Sequence, residues 1–85
     1  MNYGNVPQHT IDALDRYWKY GYAPGSFLTS LLCGDVFSAI GRADHMNKPA
    51  IGYIVEYIVH VAPRGSYGSE EIVQDWINHG EMFQW

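Results

Sequence analysis

The chain has 85 residues, with five Lys and Arg against nine Asp and Glu and a net charge of −4. So few cations exclude duplex nucleic acid as a partner, because binding to a phosphate backbone draws on counterions displaced by Lys and Arg. Cys33 is the one cysteine, which excludes an intrachain disulfide, and a domain this small then gains stability most readily by self-association.

Residues 1–9 are polar, contain Gly4 and Pro7, and read as an arm that is loose unless it docks. Thr10 is the expected N-cap of a first helix, in which Ile11, Leu14 and Trp18 recur at helical spacing. Asp12 and Arg16 are placed for an i,i+4 pair, and Gly21 ends the pattern. After Pro24-Gly25, Ser26 is the expected cap of a helix over Phe27–Cys33, with Gly34 as a left-handed stop. Asp35 opens a third helix at once. It sets Val36, Phe37, Ile40 and Ala43 along one side, and Gly41 within it suggests close approach of another backbone.

Asn47 and Pro49 suit the first turn of a fourth helix, where Ile51, Ile54, Val55, Ile58, Val59 and Ala62 match the helical template. The same stretch, 51–61, has the β-branched and aromatic content of a strand, and Tyr53, Val55, Tyr57, Val59 and Val61 also fit alternation. Its length, Pro49 and the lack of a second strand to pair with favour the helix. Pro63 closes it. The turn Arg64–Gly68 then delivers Ser69 as N-cap, with Glu70 and Glu71 in the first turn, Ile72, Val73, Trp76 and Ile77 as the apolar face, and Gly80 as the stop. The apolar tail Met82-Phe83-Gln84-Trp85 is expected to pack on a neighbour or on the domain itself.

The expected fold is therefore all-α, a compact bundle of about five short helices: arm 1–9, one domain over 10–80, tail 81–85. No run approaches the roughly 18 apolar residues of a membrane span, and Met1–Pro7 lack the basic and apolar regions of a signal peptide. A cytoplasmic protein is expected. Its 47% hydrophobic and 15% aromatic content, with seven Tyr and three Trp, is rich for so small a monomer and points to a homo-oligomer.

Two turns carry the candidate site. Pro24-Gly25-Ser26 and Arg64-Gly65-Ser66-Tyr67-Gly68-Ser69 each lead into a helix whose first amides have no intrahelical partner and suit an anion. Gly25, Ser26, Gly65, Ser66 and Ser69 would supply donors, Arg42 and Arg64 guanidinium forks, and Tyr22 or Tyr67 a ring to stack on a nucleobase. Ordinary helix capping is the competing reading of both turns, and a salt bridge with Asp44 or an acidic helix start that of the arginines. His9, His45, His60 and His79 with Cys33 match no metal-ligand spacing, Cys33 reads as a small buried apolar residue, and no catalytic signature appears. No cofactor is expected and the chain does not read as an enzyme.

The blocks Gly25-Ser26-Phe27-Leu28, Gly41-Arg42-Ala43-Asp44 with Asn47, and Tyr67-Gly68-Ser69 with Val73 and Trp76-Ile77 together resemble a family of small uncharacterised phage proteins. The resemblance covers about residues 11–78 and implies a phage origin, not a mechanism. Phage proteins of this size without catalytic residues often look like inhibitors of host defence, acting either on a host protein or by sequestering a small nucleotide signal. The expected function is thus a non-enzymatic, oligomeric anti-defence protein that sequesters an anionic, nucleotide-type ligand. A protein-binding inhibitor or adaptor and a small structural phage component are its rivals.

Overall fold

The computed structural model describes residues 4–79. Five α-helices follow in order: α1 Gln8–Tyr20, α2 Ser26–Leu32, α3 Val36–Arg42, α4 Ile51–Val61 and α5 Glu70–Asn78, with a 3-10 turn Lys48–Ala50 leading into α4. The all-helical expectation holds, with no strand among the described residues, and 51–61 is helix. No helix is long and apolar enough to cross a membrane among the residues described. The molecule measures 33 × 27 × 17 Å. Its shortest dimension is under two helix diameters of about 10 Å each, so every helix keeps an outer face.

The helix ends follow local chemistry. Gly21 (φ 72°) stops α1, its N–H donating to the Tyr17 carbonyl at 2.9 Å. Gly34 (φ 87°) turns the chain after α2, the Asp35 side chain accepts from the Ser38 amide to cap α3, and Ser69 accepts from the Ile72 amide to cap α5. Two expected caps fail. Pro7 precedes α1, which begins at Gln8, and Thr10 is buried with its hydroxyl donating to Asn47 Oδ1 at 2.6 Å. Gly25, not Ser26, precedes α2, and Ser26 is its exposed first residue. For Thr10 the partner is set by tertiary position, since Asn47 lies 37 residues away. The arm is also shorter than expected, since Val6 sits in the core and Gln8 and His9 are helical. Asp12 accepts from the Gln8 amide at 3.0 Å instead of pairing with Arg16.

The core joins Leu14, Tyr17 and Trp18 of α1 to Leu28, Leu31 and Leu32 of α2, Ile54, Tyr57 and Ile58 of α4, and Val73 and Trp76 of α5. Its centre is a polar clasp. The Tyr17 hydroxyl donates to the Ser66 carbonyl at 2.7 Å and Trp76 Nε1 donates to the Tyr17 carbonyl at 2.8 Å, so α1 holds both the turn before α5 and α5 itself. Burial pushes the Tyr17 phenol well above its usual range, with a smaller push from Cys33. On the other side of α1, the Trp18 and Tyr57 rings lie 6.0 Å apart and bring α4 in.

α3 departs most from expectation. Of the residues expected along one side, Val36, Phe37 and Ile40 are 43%, 91% and 43% exposed, Ala43 packs against the core from just beyond the helix, and within α3 only Ala39 is buried. The reason is geometric: Asp35, Ala39 and Arg42 recur at i, i+4 and i+7, and Ala39 and Arg42 face α2, so the apolar residues turn outward. Nothing approaches Gly41, contrary to its expected role in a close backbone contact. In α4, Val55 and Val59 likewise face out. Gly80 and the tail Met82–Trp85 lie outside the described residues, as do the first three.

Candidate functional site

The two turns expected to cooperate sit at opposite ends of α2. Pro24-Gly25-Ser26 forms its entrance, whereas the second turn is fixed at its exit, where the Gly68 amide donates to the Leu32 carbonyl at 2.8 Å and the Gly68 carbonyl packs against Gly34. Seven residues of helix separate them, about 10 Å at 1.5 Å per residue. Neither of the two clefts described below holds both turns.

The second turn is also closed by its own atoms. Ser66 is 0% exposed, its hydroxyl donates to the Pro63 carbonyl at 2.7 Å, and its carbonyl receives Tyr17, so it offers nothing to a ligand. Ser69 occupies the mouth of α5. Arg64 and Gly65 are exposed and Tyr67 is 37% exposed, and none of the three lines a cleft described below. This turn is a structural clasp between α1, α2 and α5.

The first turn borders a cleft of about 210 Å³ lined by Ala13, Pro24, Phe27 and Leu28 with Gly25, Ser26, His9, Thr10, Asp44 and Asn47. Asp44 brings negative charge there. Its carboxylate accepts from the amides of Asn47 and Met46, at 2.8 and 3.0 Å, which holds it below the usual aspartate range, with His9 and His45 adding to the effect. A fixed carboxylate beside the α2 entrance opposes a bound anion. Tyr22 lies outside this cleft, 60% exposed, with its ring 5.6 Å from that of Tyr20.

Arg42 lines a second, polar cleft of about 320 Å³ between α2, α3 and α5, with Thr29, Ser30, Cys33, Asp35, Glu70 and Gln74. Its Nη1 donates to Ser30 Oγ at 3.0 Å, and among the described residues no carboxylate lies within 4.0 Å of it. The Asp35 carboxyl on the same cleft is held low mainly by its hydrogen bond with Ser38 and in smaller part by the Arg42 charge. Cys33 is only half-buried, not the core residue expected, and burial, then Glu70, then Asp35 push its thiol up, so it is a poor nucleophile. No aromatic side chain lines this cleft to stack on a base.

The feature missed from sequence is the outer side of α3. Val36, Phe37, Ile40 and Gly41 fall within one face of a short helix and all are exposed. Phe37 offers roughly 200 Å² and the whole patch roughly 350 Å², within the size range of functional patches on small monomers. The signal in the sequence was the helix's brevity: seven residues that lean on one neighbour bury one side only. Comparison with family models, with curated proteins and with solved structures gives no match for this chain.

Proposed function

We propose that the protein acts without catalysis, by contact with another polypeptide through the outer face of α3. The observation that carries this reading is Phe37, a large apolar ring 91% exposed on α3 and flanked by Val36 and Ile40. Aromatic anchors of this kind dominate binding energy when a partner encloses them. Exposed apolar residues scattered singly need no explanation, but three on one face of a seven-residue helix leave that helix with no other use for its apolar side. If the resemblance to phage proteins is taken with it, the reading corresponds to an inhibitor, an adaptor or a structural component.

Phe37→p-benzoylphenylalanine, irradiated in cells that make the protein, tests this. A covalent adduct to a polypeptide is expected at position 37 and not at the exposed control Lys19. Absence of any adduct from a folded variant refutes the reading. The sequestration of a small anionic ligand is a second reading, favoured by the exposed Arg42 that lines a polar cleft. Calorimetry with inorganic phosphate and with cyclic dinucleotides tests it, and silence across both sets it aside.

A further inference from the structure

We infer that the cleft between α2, α3 and α5 binds a small zwitterion of the amino acid class, its carboxylate held by Arg42 and its ammonium by Glu70. The site is separate from the outer face of α3, and it competes with the single-anion reading for one cleft. Its walls carry charge of both signs. Arg42 supplies one positive charge, and Asp35 and Glu70 two negative ones, around a volume of about 320 Å³. Among the described residues neither carboxylate comes within 4.0 Å of the guanidinium. The two signs share a cavity without pairing directly.

Each side lacks what one half of such a ligand brings. Arg42 Nη1 donates to Ser30 Oγ at 3.0 Å, and Ser30 is 7% exposed, so a hydroxyl fixed in the body of the domain steadies the guanidinium. That hydroxyl acts there as acceptor, and its own hydrogen has no acceptor among the described residues. A ligand carboxylate accepts from it and from the remaining donors of the guanidinium fork. On the negative side Asp35 already accepts from the Ser38 amide, whereas the Glu70 carboxylate has no hydrogen bond or ion pair among the described residues. Glu70 is the free partner for an ammonium. After burial, the Glu70 charge and then that of Asp35 push up the Cys33 thiol on the same wall, so their field reaches into the cavity.

Charge selects the ligand class. A lone anion meets two carboxylates beside its one guanidinium, and a lone organic cation meets the guanidinium. No group of three His, Cys, Asp or Glu able to hold a metal ion occurs among the described residues. A molecule with carboxylate and ammonium on one carbon answers both signs at once. Size and lining narrow the class further. The volume is at the lower end of ligand pockets, Thr29 and Gln74 add polar groups, and no ring lines the walls, so a short polar side chain suits the cleft better than a nucleobase.

Amide chemical shifts of the isotope-labelled full chain measure this. The probes are L-serine, hydroxypropionate, which is serine without its ammonium, and ethanolamine, which is serine without its carboxylate. L-Serine is expected to bind in the millimolar range and to move the amides of Ser30, Cys33, Arg42 and Glu70, while the other two leave them in place. Arg42→Gln and Glu70→Gln alter exposed residues and keep the fold. Each is expected to weaken serine binding roughly 10-fold, the size of one charge-assisted hydrogen bond lost. No shift with L-serine overturns the inference, as does serine binding that either variant retains in full. Hydroxypropionate or inorganic phosphate binding as well as serine also overturns it and returns the cleft to a single anion. Ethanolamine binding as well as serine overturns it in favour of a single cation. None of these outcomes touches the α3 reading, which stands or falls on crosslinking at position 37.

Discussion

Replacing Tyr17 by phenylalanine perturbs the clasp at one atom, and its effect reverses with pH. The lost hydroxyl donates to the carbonyl of Ser66, a residue 0% exposed, at 2.7 Å. Leaving a buried acceptor without its donor costs about 1–3 kcal/mol, or about 4–8 °C in Tm per kcal/mol for a domain of this size. At pH 8 the variant is therefore the less stable protein. Above pH 10 the order changes. Burial holds the folded phenol protonated well above the usual value of about 10, whereas the unfolded phenol ionises near 10. Unfolding then releases a proton, and stability falls by about 1.4 kcal/mol per pH unit as pH rises towards the folded value. Phenylalanine has no proton to release. Relative to wild type, Tyr17→Phe should thus lose about 1–3 kcal/mol at pH 8 and recover it between roughly pH 10 and pH 12, where the two stability curves cross. Urea unfolding followed by fluorescence of Trp18 and Trp76, in a Cys33→Ala background that removes the thiol's titration, gives both curves. Parallel slopes above pH 10, or equal stability at pH 8, would refute the clasp.

Thr10→Val leaves Asn47, 6% exposed, without its 2.6 Å donor, and should cost about 1–2 kcal/mol in chemical denaturation. Gly34→Ala combines a positive φ of 87° with a Cβ 3.4 Å from the Gly68 carbonyl, whereas Gly65→Ala meets a φ of 82° and open space. Both pay the left-handed strain of about 1–2 kcal/mol, and a larger loss at Gly34 in thermal melts is the mark of the second turn docking on α2. The Asp44 carboxyl is held low by the amides of Asn47 and Met46. Its preference for the folded state is present above the ordinary aspartate range near 4 and fades as pH falls below it. Asp44→Asn should therefore flatten the acid limb of the stability–pH curve and leave the alkaline limb alone.

The parts of this fold legible in sequence are those decided within a few residues. Gly21 and Gly34 stop helices because the left-handed conformation suits glycine, and Asp35 and Ser69 cap because each side chain reaches an amide three residues on. Thr10, Ser26 and Ser66 show where such reasoning ends. All three have the same local chemistry as a cap, yet Thr10 bonds to a residue 37 positions away, Ser66 is buried with its carbonyl taken by Tyr17 49 positions back, and Ser26 stands at the surface. The two turns are set apart for the same reason. Two glycine-rich turns look alike in sequence, but the Gly68 to Leu32 bond carries one to the far end of α2 and buries its serine. Arg42 was singled out as a cation and is one, although its cleft contains neither turn.

The same limit explains why the apolar sides of α3 and α4 are not wholly buried. A helical repeat of apolar residues records that a face avoids water, not which molecule covers it, and Val36, Phe37 and Ile40 satisfy that pattern as well as Ile54 and Ile58 do. Only the number of neighbours separates them. In a slab 17 Å thick a helix packs on one side, so its second apolar side is left for another chain or for water. α4 spends one side on Trp18 through Tyr57 and leaves Val55 and Val59 out, and α3 spends one on α2 through Ala39 and leaves Phe37 out. A chain with 47% hydrophobic residues and so thin a body has more apolar surface than its own interior holds. Among the exposed large apolar side chains of the described residues, Phe37 on α3 has the greatest exposure, which is why a partner is sought there first.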